Sequence, residues 1–142
     1  KTDEERPKML HNDSHKFESR FLGVTIQPSP SVMLRSLENS ILGTWVAHGE
    51  GKFHLPYAEE HYHIPMKYLY SEYPGNPNGS DYNAAAICSA DGRHLAMMPH
   101  LERALRPWNW GYYPNVAPRS EDEITPWIEA FVNAREWIKE RQ

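Results

Sequence analysis

One turn constrains this chain more than any other feature. In "AAAICSADGRHLAMMP", residues 84–99, Asp91-Gly92 sits between two apolar runs. Asp-Gly is a strong hairpin signal, because a two-residue type I′ turn needs positive φ at both central positions. The turn also sets a register. Cys88 falls opposite Leu95, and His100, just past the outgoing strand, falls opposite about Asn83. At ~3.3 Å per residue, Cys88 and His100 then stand roughly 16 Å apart along the ladder.

Other elements follow from the same patterning. Leu22, Val24 and Ile26 alternate as a half-buried strand, ended by Pro28 and Pro30. Ser31 is placed to cap a short helix through about Leu37. Residues 41–48, "ILGTWVAH", are apolar at both parities, which predicts a strand covered on both faces. "KFHL" is expected to return as a strand, "PYAEEHYHIP" to form one or two helical turns stopped by Pro65, and "KYLYSEY" to alternate as a strand. Twelve prolines exceed the usual ~5 %, so long loops are expected, including an irregular stretch over 104–124. The clearest helix is the last: Thr125 as cap, Pro126 at the first position, and Trp127, Ile128, Phe131, Ala134 and Ile138 on one face. Several strands and few helices predict an α/β or α+β chain with a mixed sheet.

Charge and length exclude several classes. Fifteen basic and 19 acidic residues leave a net charge of -4 with no basic stripe, so no nucleic-acid partner is expected. No run approaches the ~20 apolar residues of a membrane span, and "KTDEERPKML" lacks the apolar segment of a signal peptide. A single cysteine rules out an internal disulfide. The expectation is a soluble, cytoplasmic chain whose charged start is a solvated tail or a linker.

Four groups of residues could carry chemistry. His100 and Glu102 share parity past a strand end, where ligands of α/β sheets bind. A carboxylate that accepts one ring N–H fixes the tautomer and frees the other nitrogen as a base. A solvated His-Glu pair in a loop is the alternative. Cys88 is too far along the hairpin to be the nucleophile and reads as a small core residue. In "VAHGEG", a strand ends at His48 and glycines flank Glu50, so exposed backbone N–H groups could meet a carboxylate; a plain β-turn is the alternative. In "EEHYH", His61 and His63 lack a third histidine at a usual spacing, so no metal is expected there. "HNDSHKFESR" is dense in polar groups and faces a partner or a site mouth.

"MMPHLERALRPWNW" resembles the Pro-His-Pro-Glu-Arg segment of the C-terminal glutamine amidotransferase domain of the phosphoribosylformylglycinamidine synthase family. "NDSHKFESRF", "VAHGEG", "YPGNPNGS" and "ICSADGRHLAMMPH" occur in that family's order, so the resemblance runs from about Leu10 to the end. It implies a partial three-layer, class I (triad-type), flavodoxin-like fold with a mixed sheet and a C-terminal helix. It implies that His100 is the base and Glu102 its orienter, and that His48, Gly49 and Glu50 line the glutamine mouth. Leu101 replaces a family proline, which frees φ there without removing either catalytic side chain.

The family's nucleophilic cysteine turn has no counterpart in residues 1–142, so the chain is expected to be the C-terminal half of the domain. Such a piece should be inactive alone, with glutamine and the remainder of the synthase as partners. No cofactor is expected here; ATP and magnesium would belong to the synthetase domain. An open sheet edge is expected to favour self-association. The rivals are a non-catalytic interaction module on the same scaffold and a metal-dependent hydrolase using His61 and His63.

Overall fold

The computed structural model describes residues 2–114 and 123–142, so residues 115–122 of the stretch expected to be irregular lie outside the described residues. The strands are β1 (Lys8–Leu10), β2 (Glu18–Ile26), β3 (Ile41–His48), β4 (Lys52–His54), β5 (His63–Tyr68), β6 (Ala84–Cys88) and β7 (Leu95–Met97), followed by helix α1 (Ile128–Lys139). Five of them form a sheet in the order β3-β2-β5-β6-β7, and β1 pairs with β4. Every described ladder is antiparallel. The α/β class with one C-terminal helix stands, and no described helix is long and apolar enough to cross a membrane.

The alternation in β2 is real and extends to Glu18. Leu22, Val24 and Ile26 are buried, and so is Glu18 on the same side. Opposite them, Leu42, Thr44, Val46 and His48 of β3 are buried. The other side of β3 differs from the expected double burial: Ile41 is 64 % exposed, and Phe21 packs against Trp45 and Trp110 with ring centroids 5.3 and 5.6 Å apart. The core comprises the inward residues of β2, β3 and β5 with Leu34, Leu101, Ala104, Trp127 and Ala130.

Several boundaries move for identifiable reasons. Pro65 does not stop an element. It sits inside β5, where register shifts between His63 and Met66 absorb the missing N–H. The helical turns before it reduce to a 3-10 turn at Glu59–His61. The strand expected over 67–73 therefore begins and ends earlier, leaving Tyr70 and Tyr73 exposed. β4 forms as expected but pairs with β1, so part of the charged start is a strand rather than a tail. The helix expected after Ser31 shrinks to a 3-10 turn at Arg35–Leu37.

The hairpin keeps its register with a different turn. Cys88 pairs with Leu95. Only Gly92 has positive φ, +71°, so the turn is not type I′. Gly92 N–H donates to Ser89 O at 2.9 Å, and Ser89 N–H to His94 O at 3.0 Å. A two-residue loop closed at Ala90–Arg93 and the observed loop closed at Ser89–His94 share one centre, so the residue pairing, and with it the register, is the same in both. Beyond Met98, whose N–H reaches Ala85 O at 3.0 Å, the chain leaves β6. His100 therefore does not sit opposite Asn83. It crosses to the free edge of β3, where its N–H donates to Trp45 O at 2.8 Å.

Candidate functional site

Two assemblies meet at the end of the β2–β3 pair. The first is His100 with Glu102. The crossing to Trp45 anchors the His100 backbone, and a 3-10 turn at Leu101–Arg103 brings Glu102 back beside the ring. His100 Nδ1 lies 2.7 Å from Glu102 Oε1. An ionised carboxylate only accepts, so Nδ1 carries the hydrogen and Nε2 presents its lone pair. Burial pushes the Glu102 carboxyl up, but the His100 hydrogen bond and Arg103 hold it below the ordinary range, so it stays an acceptor. Leu101, standing where the resembled motif has proline, is fully buried in the core and pins the turn by packing.

The second assembly surrounds His48, 8 % exposed and paired with Glu18 across the ladder. Asn12, fully buried, ties residues 11–16 to the turn after β3. Its Nδ2 donates to Lys16 O and His48 O, both at 2.8 Å, and its Oδ1 accepts Gly51 N–H at 3.0 Å. Asn78 ties in the loop after Pro74: its Oδ1 accepts Ser80 N–H at 3.0 Å, and its Nδ2 reaches the Tyr68 hydroxyl at 2.9 Å. The backbone donors fix which end of each amide is oxygen. His48 Nδ1, 3.1 Å from Asn12 Oδ1, must therefore donate, and Nε2, 3.3 Å from Asn78 Nδ2, must accept. The ring is one neutral tautomer with both nitrogens engaged. Burial lowers its pKa, the facing Glu18 carboxylate works against that, and His100 adds to it.

The other flagged residues fall into place around these two. Gly49 O accepts Asn12 N–H at 2.9 Å. Glu50 projects outward, its side chain 69 % exposed and 3.6 Å from His11 Nδ1. Cys88 is half-buried at the far end of β6; burial raises its thiol pKa while Ser29 and Ser31 oppose the rise. His61 packs edge-on to Tyr57, and His63 pairs with Cys88 in the β5–β6 ladder. Among the described residues, no three His, Cys, Asp or Glu side chains gather as a metal site.

Sequence reasoning missed Asn12, Asn78, Glu18, Arg20 and Tyr73. One signal was readable for two of them: Glu18 and Arg20 share the core-facing parity of Leu22, Val24 and Ile26, a costly place for charge. Beside them, a cleft of about 480 Å³ is bounded by Ser14, Lys16, Tyr73, Asn76 and Asn78.

Comparison with known proteins places these motifs. The family described as "CobB/CobQ-like glutamine amidotransferase domain" matches residues 1–138. A probable phosphoribosylformylglycinamidine synthase, chloroplastic/mitochondrial, of Arabidopsis thaliana is 43 % identical over 96 % of this chain. A phosphoribosylformylglycinamidine synthase of Homo sapiens is 42 % identical over 95 % of it. The chain spans 11 % of the length of each of these relatives. Among solved structures, PurLQS from Thermotoga maritima superposes with a TM-score of 0.70 at 20 % identity, covering 94 % of this chain and 53 % of that one.

Proposed function

The chain belongs to the CobB/CobQ-like glutamine amidotransferase domain family, and on that premise we propose that it forms the C-terminal half of the glutaminase domain of a phosphoribosylformylglycinamidine synthase. In this reading the parent protein hydrolyses glutamine and passes the ammonia to a synthetase domain. There formylglycinamide ribonucleotide becomes the amidine. ATP and magnesium act in that other domain. The parent works in the cytoplasm, and its remainder is this chain's partner.

The observation that carries the reading is the His100–Glu102 pair, 2.7 Å apart, with Nε2 open. A cysteine thiol gives its proton to His100 Nε2 and attacks the glutamine side-chain carbonyl carbon. The same proton goes to the departing nitrogen, releasing ammonia and leaving a thioester that water hydrolyses. Glu102 stabilises the imidazolium formed in between. Cys88 does not supply the thiol, because it is held at the other end of β6, so the nucleophile comes from outside these 142 residues. Gly49 and Glu50 border the glutamine mouth, and His48 contributes by fixing the backbone of that mouth.

Replacing His100 with Ala in the full-length protein tests this. Glutamine-dependent synthesis should fall by roughly 10²–10⁴, the range a positioned base contributes. Synthesis from added ammonia should persist. Loss of both activities would contradict the assigned role.

A further inference from the structure

The turn that carries His100 and Glu102 is fastened at both ends. At its start, His100 N–H donates to Trp45 O at 2.8 Å. At its end, Ala104 N–H closes the 3-10 turn onto Leu101 O at 3.0 Å, and Leu101 and Ala104 are fully buried. Ala104 O then takes two donors, Trp110 Nε1 at 2.7 Å and the Thr125 hydroxyl at 2.6 Å, so both of its lone pairs are used.

The Trp110 ring joins the two ends. It is half-buried and packs on Phe21, which packs in turn on Trp45, the residue whose carbonyl holds His100. The Trp45 indole N–H donates to Asn109 O at 2.5 Å, next to Trp110 in the chain. β3 leaves room for these rings: a Cβ on Gly43 would lie 2.3 Å from Phe21 Cζ and 3.2 Å from Trp110 Cε3. Glu102 has no such packing, its side chain being 57 % exposed. Its place beside His100 Nδ1 therefore depends on the backbone of the turn. A shift of about 1 Å in a reacting geometry is enough to cost about 10²-fold in rate.

We propose that Trp110 is a positioning residue for the His100–Glu102 pair: its indole N–H and its ring lock the 3-10 turn to β3 and keep Glu102 behind His100 Nδ1. This rests on the glutaminase reading for what the pair does. Thr125 holds the same carbonyl from the helix side and shares the task.

The test uses the full-length protein with Trp110→Phe, which keeps a ring against Phe21 and removes the donor. Thr125→Val removes the second donor to Ala104 O, and Trp108→Phe, at a neighbouring ring that is 64 % exposed, is the control. In Trp110→Phe, kcat for ammonia release from glutamine should fall roughly tenfold to a hundredfold, with KM for glutamine and synthesis from added ammonia within about twofold of wild type. Thr125→Val should show the same split and Trp108→Phe none. Hydrogen exchange read by mass spectrometry should quicken by about tenfold or more over residues 99–105 of Trp110→Phe and stay unchanged over β5 and β6. An unchanged kcat, a kcat that falls only together with a rise in KM, or exchange that quickens throughout the domain would overturn the proposal and leave the glutaminase reading intact. A wild type that releases no ammonia sinks the glutaminase reading instead. Faster exchange confined to 99–105 then keeps the clamp, and unchanged exchange overturns it.

Discussion

His48 shows how a single residue can hold loops from distant parts of the chain together. Its nitrogens meet amides that reach it from 36 residues before and 30 residues after. The second glycine of the "HGEG" turn exists for this contact, since a Cβ on Gly51 would lie 2.5 Å from His48 Nδ1. The neutral tautomer has a consequence for pH. Burial lowers the folded-state pKa below the ordinary 6.5, so the unfolded chain binds the proton more readily. The ring's stabilising contribution is full above about pH 6.5 and is lost as pH falls through the folded value, at no more than about 1.4 kcal/mol per pH unit. His48→Gln presents an amide oxygen and nitrogen instead and should lose this dependence. Urea denaturation at pH 7.5 and 5.5 checks it, and parallel losses in wild type and variant would refute it. His48 was legible in the sequence as a strand end beside glycines. Asn12 and Asn78 were not, because an asparagine in a polar loop looks solvated until its distant partner is known.

Among the elements, the hairpin was legible because its register depends on where the loop is centred and not on the type of turn. The sequence placed His100 wrongly on that same ladder, since nothing local says when a strand exchanges one neighbour for another. The crossing to Trp45 is a non-local event, driven by burial of Leu101 and by an unpaired β3 edge. The C-terminal helix was legible in existence and not in rotation. The inward residues are Trp127, Ala130 and Asn133, while Phe131 and Ile138 are 40 % and 52 % exposed. Trp127 sets that rotation: it is fully buried and its Nε1 donates to Gly43 O at 2.8 Å. Thr125 does not cap the helix but donates its hydroxyl to Ala104 O at 2.6 Å. Asn133 completes the docking through Met33 O and the Ser36 hydroxyl, at 2.9 and 2.7 Å. Trp127→Ala should cost about 4 kcal/mol by leaving a cavity under the helix. Trp127→Phe, which keeps most of the ring and strands one carbonyl, should cost about 1–2 kcal/mol. Equal losses for the two variants, measured by guanidinium denaturation, would show that the hydrogen bond rather than the packing anchors α1.

At the scale of the whole molecule, the two edges of the five-stranded sheet are treated differently. The β3 edge is met at Trp45 by His100. The β7 edge ends the described sheet with three residues. Ser89 N–H to His94 O and Met98 N–H to Ala85 O fix the phase of the β6–β7 ladder. In an antiparallel pair the hydrogen-bonded positions alternate, so the N–H groups of Leu95 and Met97 point away from β6. Open backbone groups on a short apolar edge are a template for another strand. In the proposed reading a pairing strand on β7 comes from the parent protein's other half; the other source is a second copy of this chain. In the isolated 142-residue chain only the second copy is present, so self-association at β7 should raise the average mass with concentration. Ala96, exposed on β7, offers a control: Ala96→Lys puts one charge on the edge of each copy and should lower association without opening the core. Light scattering across a concentration series reads both proteins. A wild-type mass that stays at the 16.5 kDa monomer throughout would show that β7 does not pair copies of this chain.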